Sequence, residues 1–367
     1  MNNNSTINSV FWLRAIACIA VVMGHSIQLT NVEFKHLSND FYSLFLNYLL
    51  AAGLFGTPIF VFISELLLSK KYPVQLPKGF FRKRFGYILL PYIFMNIIYA
   101  IIEVKRISIE TILLEIVKNI FLGHSVLYFV LIIFQFYFLH VKLNKFLNRF
   151  SPSVVLPLAL LVNVIYLGIF NFTNPPNFFI AQEIWRFGYW LPFIGWVFYF
   201  SLGFYCGKYF NEFLSLIIKN KYIILLLPVF TFLLFVIINK YNLINFTNSK
   251  RIDMVLYTTS VIFLIILFTT IFIKKVPKII MIISNYSFCI YLMHMLFIHL
   301  IELASPPMFF NKLSYLIIVL ITSITCSILS AHIFNKAAFG KYLIGNVNRY
   351  KSDTHRQIRQ KKVTEIV

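Results

Sequence analysis

Arg14 and His25 stand eleven residues apart in a stretch, Trp12 to His25, that is otherwise almost wholly apolar. On a helix, eleven residues advance the axis roughly 16 Å and complete about three turns. Arg14, Cys18, Val21 and His25 therefore share one face. A guanidinium at one depth can clamp an anion such as a phosphate. A neutral imidazole at the other depth can take a proton from a hydroxyl. Each group also has a plainer duty: Arg14 can snorkel to headgroups, and His25 can hydrogen-bond a neighbouring helix. A helix that only anchors needs neither, because a charge at the bilayer centre costs at least ~2.5 kcal/mol.

The same chemistry is offered elsewhere. Arg82, Lys83 and Arg84 form a basic run suited either to phosphates or to anchoring a loop. Glu65, in Phe62-Ile-Ser-Glu-Leu-Leu, needs a cation, and Arg14 or Arg84 at similar depth are its expected partners, in a structural pair or a catalytic one. Ser287, Tyr291 and His294 fall at i, i+4 and i+7, one helical face, which makes His294 a second candidate. Asn96 and Gln135 suit hydrogen bonds between helices. Trp185, Phe187, Tyr189, Trp190 and Trp196 suit an interfacial aromatic belt, with a minority free to stack on sugar rings. The four cysteines, Cys18, Cys206, Cys289 and Cys326, have neither metal-ligand nor disulfide-framework spacing, so no metal is expected.

Groups of this kind require helices that cross a bilayer. Of 367 residues, 59% are hydrophobic and 12% charged, with a mean hydropathy of +0.80. Soluble domains carry about 25% charged residues. The expected fold is an all-α polytopic membrane protein. A net charge of +21 would suit nucleic acid. The positive residues instead lie in short patches between apolar runs, as membrane loops do, so lipids are the expected partners and nucleic acid is not.

Ten spans are predicted, at 8–29, 41–68, 84–103, 124–141, 153–170, 190–207, 222–239, 254–273, 279–301 and 313–334. The second is long enough to need tilt or a broken turn near Gly53, Gly56 and Pro58. Residues 107–122 predict an amphipathic helix lying in the interface. With the N-terminus inside, the inner segments hold 23 Lys and Arg and the outer ones 9, Arg14 being within a span. This asymmetry supports about ten spans with both termini cytoplasmic. Residues 1–340 are expected to form one transmembrane domain and 341–367 a basic cytoplasmic tail against anionic headgroups. No removable signal peptide is expected.

Four stretches carry a family likeness. Leu13-Arg14 followed by His25, Phe55-Gly-Thr-Pro-Ile-Phe-Val-Phe-Ile-Ser64, Arg84-Phe-Gly-Tyr-Ile-Leu-Leu-Pro91-Tyr92 and Ser287-Phe-Cys-Ile-Tyr-Leu-Met-His294 resemble, in this order, motifs of the membrane acyltransferase-3 family. Ile120-Phe-Leu-Gly123 and the Gly195–Tyr205 stretch resemble the branch serving poly-β-1,6-N-acetylglucosamine, a biofilm exopolysaccharide. The resemblance covers essentially the whole chain. It implies a multi-pass protein of the bacterial cell membrane that moves an acyl group, acetyl or succinyl, from acetyl-CoA or succinyl-CoA to an extracytoplasmic glycan. The resemblance carries roles onto three residues only: His25 as the essential base or acyl relay, with Arg14 and Arg84 supporting the donor. Arg82 joins them as a member of the same basic run, and Glu65, Ser287, Tyr291 and His294 are candidate supporting groups on their own residue chemistry. A glycan synthase complex is a further implied partner, and export of the polysaccharide is the other role the branch implies. The chain departs from the family at three points: Phe11 stands for an Asp, Glu65 for a Gly and Ile88 for an Arg.

Overall fold

The computed structural model describes residues 3–35, 41–104, 108–178, 180–244, 246–273, 275–304, 306 and 310–347, with side chains from residue 8 onward. Lys105, Arg106 and most of the basic tail, from residue 348, lie outside the described residues. Every regular element among the described residues is helical. Among the described residues nine stretches are long and apolar enough to cross a membrane, and they coincide with nine of the ten predicted spans.

The chain opens with α1 (Asn3–Glu33). The second span is broken as its glycines predict, into α2 (Phe41–Ala52) and α3 (Gly56–Lys71). Pro58 sits in the first turn of α3, where its missing N–H costs nothing. Gly56 presses on α1: a Cβ there would lie 2.9 Å from the Ala17 carbonyl oxygen. In the third span, α4 (Phe80–Arg84) passes through a π turn at Phe85–Leu89 into α5 (Leu90–Glu103). Pro91 explains the turn, because its ring clashes with the carbonyl four residues back and the wider π loop relieves the clash.

The predicted amphipathic stretch is α6 (Ile109–Leu122). A capping box of Ser108 and Thr111 starts it and Gly123, with φ of 62°, ends it. Ile109, Leu113, Val117 and Phe121 leave an apolar stripe exposed along it. Next come α7 (Phe129–Arg149), α8 (Pro152–Phe172) and the short α9 (Ala181–Phe187).

The sixth predicted span, 190–207, becomes a 3-10 turn at Phe193–Trp196 and a 12-residue helix, α10 (Val197–Lys208). Phe198 through Gly207 are all buried, so protein and not lipid surrounds this helix. That releases it from the ~20 apolar residues a lipid-facing helix needs. It packs on α3 through Gly203 and Gly207. A Cβ at Gly203 would stand 2.5 Å from the Phe62 carbonyl oxygen, and one at Gly207 would collide with that of Leu66. Small residues four apart let two backbones meet in this way. Because 62 pairs with 203 and 66 with 207, α3 and α10 run parallel.

The remaining helices are α11 (Phe210–Lys219), α12 (Lys221–Lys240), α13 (Ile252–Ile271), α14 (Lys278–Glu302), α15 (Lys312–Phe334) and α16 (Gly340–Leu343). Helix α11 is unexpected, because its basic ends read as part of a loop. Arg251 is wholly buried at the start of α13 and grips Asp253 with two bonds, Nε–Oδ1 at 3.0 Å and Nη2–Oδ2 at 2.7 Å. Beyond α16, Ile344 is buried against the bundle, so the segment 340–344 is part of the packed structure.

Helix α1 is the hub, packed against α3, α13, α14 and α15. Its neighbour α14 runs parallel to it. Cys18 Sγ donates to the Ser287 carbonyl at 3.9 Å, and seven residues on in both helices the rings of His25 and His294 meet. Helix α13 runs the other way, with Ser9 and Thr269 hydroxyls bonded at 2.8 Å.

Candidate active site

Two features stand at different depths along α1. At the Arg14 end a cavity of about 830 Å³ opens between α1, α3, α4, the π turn at Phe85–Leu89, α7 and α14. Six cations line it: Arg14, Lys70, Lys71, Lys78, Lys83 and Arg84, without a single Asp or Glu. No carboxylate is within ion-pair distance of Arg14 or Arg84 among the described residues. Arg84 is held over the rings of Phe80 and Tyr137, at 5.0 and 5.2 Å. A stacked guanidinium keeps its hydrogen-bonding edge free. A cavity of this size is suited to a large ligand, and its lining asks for several negative charges. Ser64, Ser287 and Tyr291 add hydroxyl-bearing side chains to the wall.

At the other depth are the two histidines. The rings of His25 and His294 are 5.3 Å apart, tilted by 41°. His25 Nδ1 pairs with Gln28 Oε1 at 3.0 Å. His294 is fully buried, and its Nδ1 lies 3.0 and 2.8 Å from the carbonyl oxygens of Ile290 and Tyr291. Tyr291 joins the two features. It lines the basic cavity, its ring is 6.2 Å from that of His294, and its hydroxyl donates to the Val126 carbonyl at 3.0 Å.

The sequence candidates therefore divide. Arg14, Arg84, Ser287 and Tyr291 line one cavity, and His25 with His294 form a pair beyond Tyr291. Arg82 is exposed and does not line the cavity. Glu65 is elsewhere. Its expected partner, Arg14 or Arg84, is replaced by His140, whose Nδ1 is 2.6 Å from Glu65 Oε1 with both side chains buried. His140 Nε2 continues to Asn144 at 3.2 Å, and Asn148 donates to Asn144 Oδ1 at 2.6 Å. This chain ties α3 to α7. The reason is azimuth: Glu65 turns toward α7 and α10, while Ser64, one residue earlier, faces the cavity.

Several groups at the candidate site escaped the sequence reading. Lys70, Lys71 and Lys78 read as topology charges, whereas Lys83 belongs to the basic run already offered for phosphates. Gln28 had a usable signal in its i+3 spacing from His25. Lys250 had none. It is buried, its Nζ donates to the Tyr128 hydroxyl at 2.5 Å, and it stands over the rings of Tyr128 and Trp196 at 4.6 and 5.4 Å, within electrostatic reach of His25. Trp196, expected in a belt, is 1% exposed and belongs to the core. Asn96 and Gln135 do bond between segments, Asn96 Oδ1 accepting from Ser125 at 2.5 Å and Gln135 donating to the Leu191 carbonyl at 2.9 Å. Among the described residues no group of His, Cys, Asp and Glu could hold a metal ion.

Comparison with known proteins bears on this arrangement. Residues 7–332 match the family model described as an acyltransferase domain, Acyl_transf_3. The "Putative membrane-bound acyltransferase YfiQ" of Bacillus subtilis (strain 168) is 35% identical over 376 residues, covering 98% of this chain and 97% of the relative. A "Probable poly-beta-1,6-N-acetyl-D-glucosamine export protein" of Staphylococcus aureus (strain N315) is 30% identical over 287 residues, covering 77% and 80%. Its namesake in Staphylococcus epidermidis is 28% identical over 285 residues, covering 77% and 79%. No solved structure matches significantly.

Proposed function

Because this chain belongs to the acyltransferase-3 family and is a multi-pass membrane acyltransferase, we propose that it carries an acyl group from acyl-CoA to a hydroxyl of an extracytoplasmic polysaccharide. One observation carries the reading. A cavity lined by six cations and no carboxylate ends on Tyr291, beside a pair of imidazoles. The phosphates of CoA are the anions such a lining suits, with Arg14 and Arg84 as the deepest clamps. His25 removes the proton from the attacking hydroxyl, or takes the acyl group first and passes it on. In either route a C–S bond breaks, a new acyl bond forms, and the electron pair of the broken bond leaves with the thiolate.

The sides follow from the loops. Lys70, Lys71, Lys78, Lys83 and Arg84 lie on the side rich in basic residues, which is the cytoplasmic one and the one that holds acyl-CoA. The parallel course of α1 and α14 supports ten crossings. An odd number must separate parallel helices, six long spans lie between them, and α10 is the seventh. The glycan is poly-β-1,6-N-acetylglucosamine or a relative of it, as the names of the staphylococcal proteins suggest, and the acyl group is acetyl or succinyl. Those names also favour a second reading, export of the polymer itself.

One experiment separates the two. His25→Ala is expressed in cells lacking the native protein, its amount in the membrane is checked, and the surface glycan is analysed. Normal export of a polymer lacking acyl groups is the expected result. Polymer retained inside the cell would favour export, and unchanged acylation would remove His25 from the chemistry.

A further inference from the structure

His294 has a feature that packing does not explain. Its side chain is wholly buried, and its Nε2 has no hydrogen-bond partner. The other ring nitrogen is fully committed. Both groups within reach of Nδ1 are carbonyl oxygens, of Ile290 and Tyr291, at 3.0 and 2.8 Å. A carbonyl only accepts, so Nδ1 carries the proton and Nε2 is a bare lone pair. The helix therefore fixes the tautomer with its own backbone. A histidine kept only to join helices would spend Nε2 on a neighbour, since a buried acceptor without a donor is destabilising. Here the nearest imidazole is that of His25, 5.3 Å away between ring centres.

His25 is arranged the same way. Its Nδ1 meets Gln28 Oε1 at 3.0 Å, which assigns the proton to Nδ1 and the lone pair to Nε2. Two neutral imidazoles with bare Nε2 atoms cannot satisfy one another. Only a proton, or a group that brings one, can link them. The parallel register of α1 and α14, anchored two turns away by Cys18 and the Ser287 carbonyl, holds the rings side by side.

We propose that His294 is a second functional imidazole: the proton that leaves the acceptor hydroxyl is taken by Nε2 of His25 and held jointly with Nε2 of His294. This rests on the acyl-transfer reading above and assigns a new residue to it. The balance is simple. The hydroxyl O–H bond breaks as its oxygen attacks the thioester carbonyl. The proton passes to the imidazole pair, and the C–S electron pair leaves on sulfur. His294 does not touch the thioester. It stabilises the imidazolium formed at His25, so it is a positioning and proton-holding residue.

The test uses the full-length protein in nanodiscs with acetyl-CoA and a β-1,6-linked N-acetylglucosamine oligosaccharide as acceptor. His294→Asn is the informative variant, because its side-chain amide N–H replaces the Nδ1 donor to the Ile290 carbonyl while Nε2 disappears. The expected result is a kcat lowered by about 100-fold, at the lower end of what proton transfer contributes. KM for acetyl-CoA is unchanged, and the solvent deuterium isotope effect on kcat rises. His294→Gln, which restores an atom near the Nε2 position that cannot take a proton, should be as slow, and it replaces the Asn variant should that one not fold. A folded variant with kcat within threefold of wild type and an unaltered isotope effect overturns the proposal. Failure of the underlying reading looks different: wild-type protein would transfer nothing, or His25→Ala would be fully active.

Discussion

Arg84 gives the sharpest test of where the donor binds. It lies in the basic cavity, its guanidinium is held over the rings of Phe80 and Tyr137 at 5.0 and 5.2 Å, and no carboxylate within the described residues competes for it. Its side chain is therefore ordered before a ligand arrives, and its hydrogen bonds are unspent. A charge-assisted bond to a phosphate is worth about 1.5–3 kcal/mol. Arg84→Ala should then raise KM for acyl-CoA by about 10- to 150-fold and leave kcat nearly unchanged, the signature of binding lost equally from ground and transition states. The discriminating assay compares two donors. An acyl-pantetheine thioester lacks the nucleotide and all the phosphates, so wild type and Arg84→Ala should use it equally well. Arg84→Lys keeps a charge but loses the two-pronged edge and the stack, so it should fall between. Arg82→Ala, on an exposed side chain outside the cavity, is the internal control and should change KM by less than about twofold. Equal losses on both donors, or no loss on acyl-CoA, would refute the assignment of this cavity to the donor.

The packing makes two further predictions. Gly203→Val puts side-chain atoms into the space of the Phe62 carbonyl, whose oxygen would stand only 2.5 Å from the added Cβ, so it should lower the melting temperature by the equivalent of about 1–3 kcal/mol or more, read by thermal unfolding in detergent; unchanged melting would mean that α3 and α10 are not in backbone contact. Glu65→Ala strands the buried His140 Nδ1 and should cost about 1–3 kcal/mol, while KM for acyl-CoA stays at its wild-type value because Glu65 is not in the cavity wall; a selective rise in KM would place Glu65 on the donor after all.

Much of the fold was legible because the bilayer limits the vocabulary. Length and hydropathy locate spans, and Gly53, Gly56 and Pro58 mark where the second one breaks. The amphipathic period of 107–122 was visible in the same way, although its Ser108 cap was not. What hydropathy cannot see is a helix shielded by other helices. The stretch 190–207 reads as an ordinary span, yet it forms a 12-residue helix inside the bundle. Its burial follows from Gly203 and Gly207 meeting two carbonyls of α3, and that is a property of the pair of helices. The hidden α11 has the converse origin. Its apolar residues, Phe210, Leu214 and Ile217, are buried on one face, but ten residues are too few to stand out from a basic loop.

The site shows the same limit more closely. A sequence reports how deep a polar residue lies along a helix, and that a buried charge needs a partner, but not which way round the helix it points. Ser64 and Glu65 are neighbours in depth and about 100° apart in direction. One faces the basic cavity, and the other turns to His140. Arg14 and Glu65, matched by depth alone, never meet. The histidines were recoverable because their helices carry them in step. Cys18 to His25 and Ser287 to His294 are both separations of seven residues, so parallel helices that touch at the first pair must touch again at the second. Two chemically capable residues at equal offsets on two apolar helices are thus a stronger signal than either residue alone, and that signal becomes readable once the helices are known to run parallel.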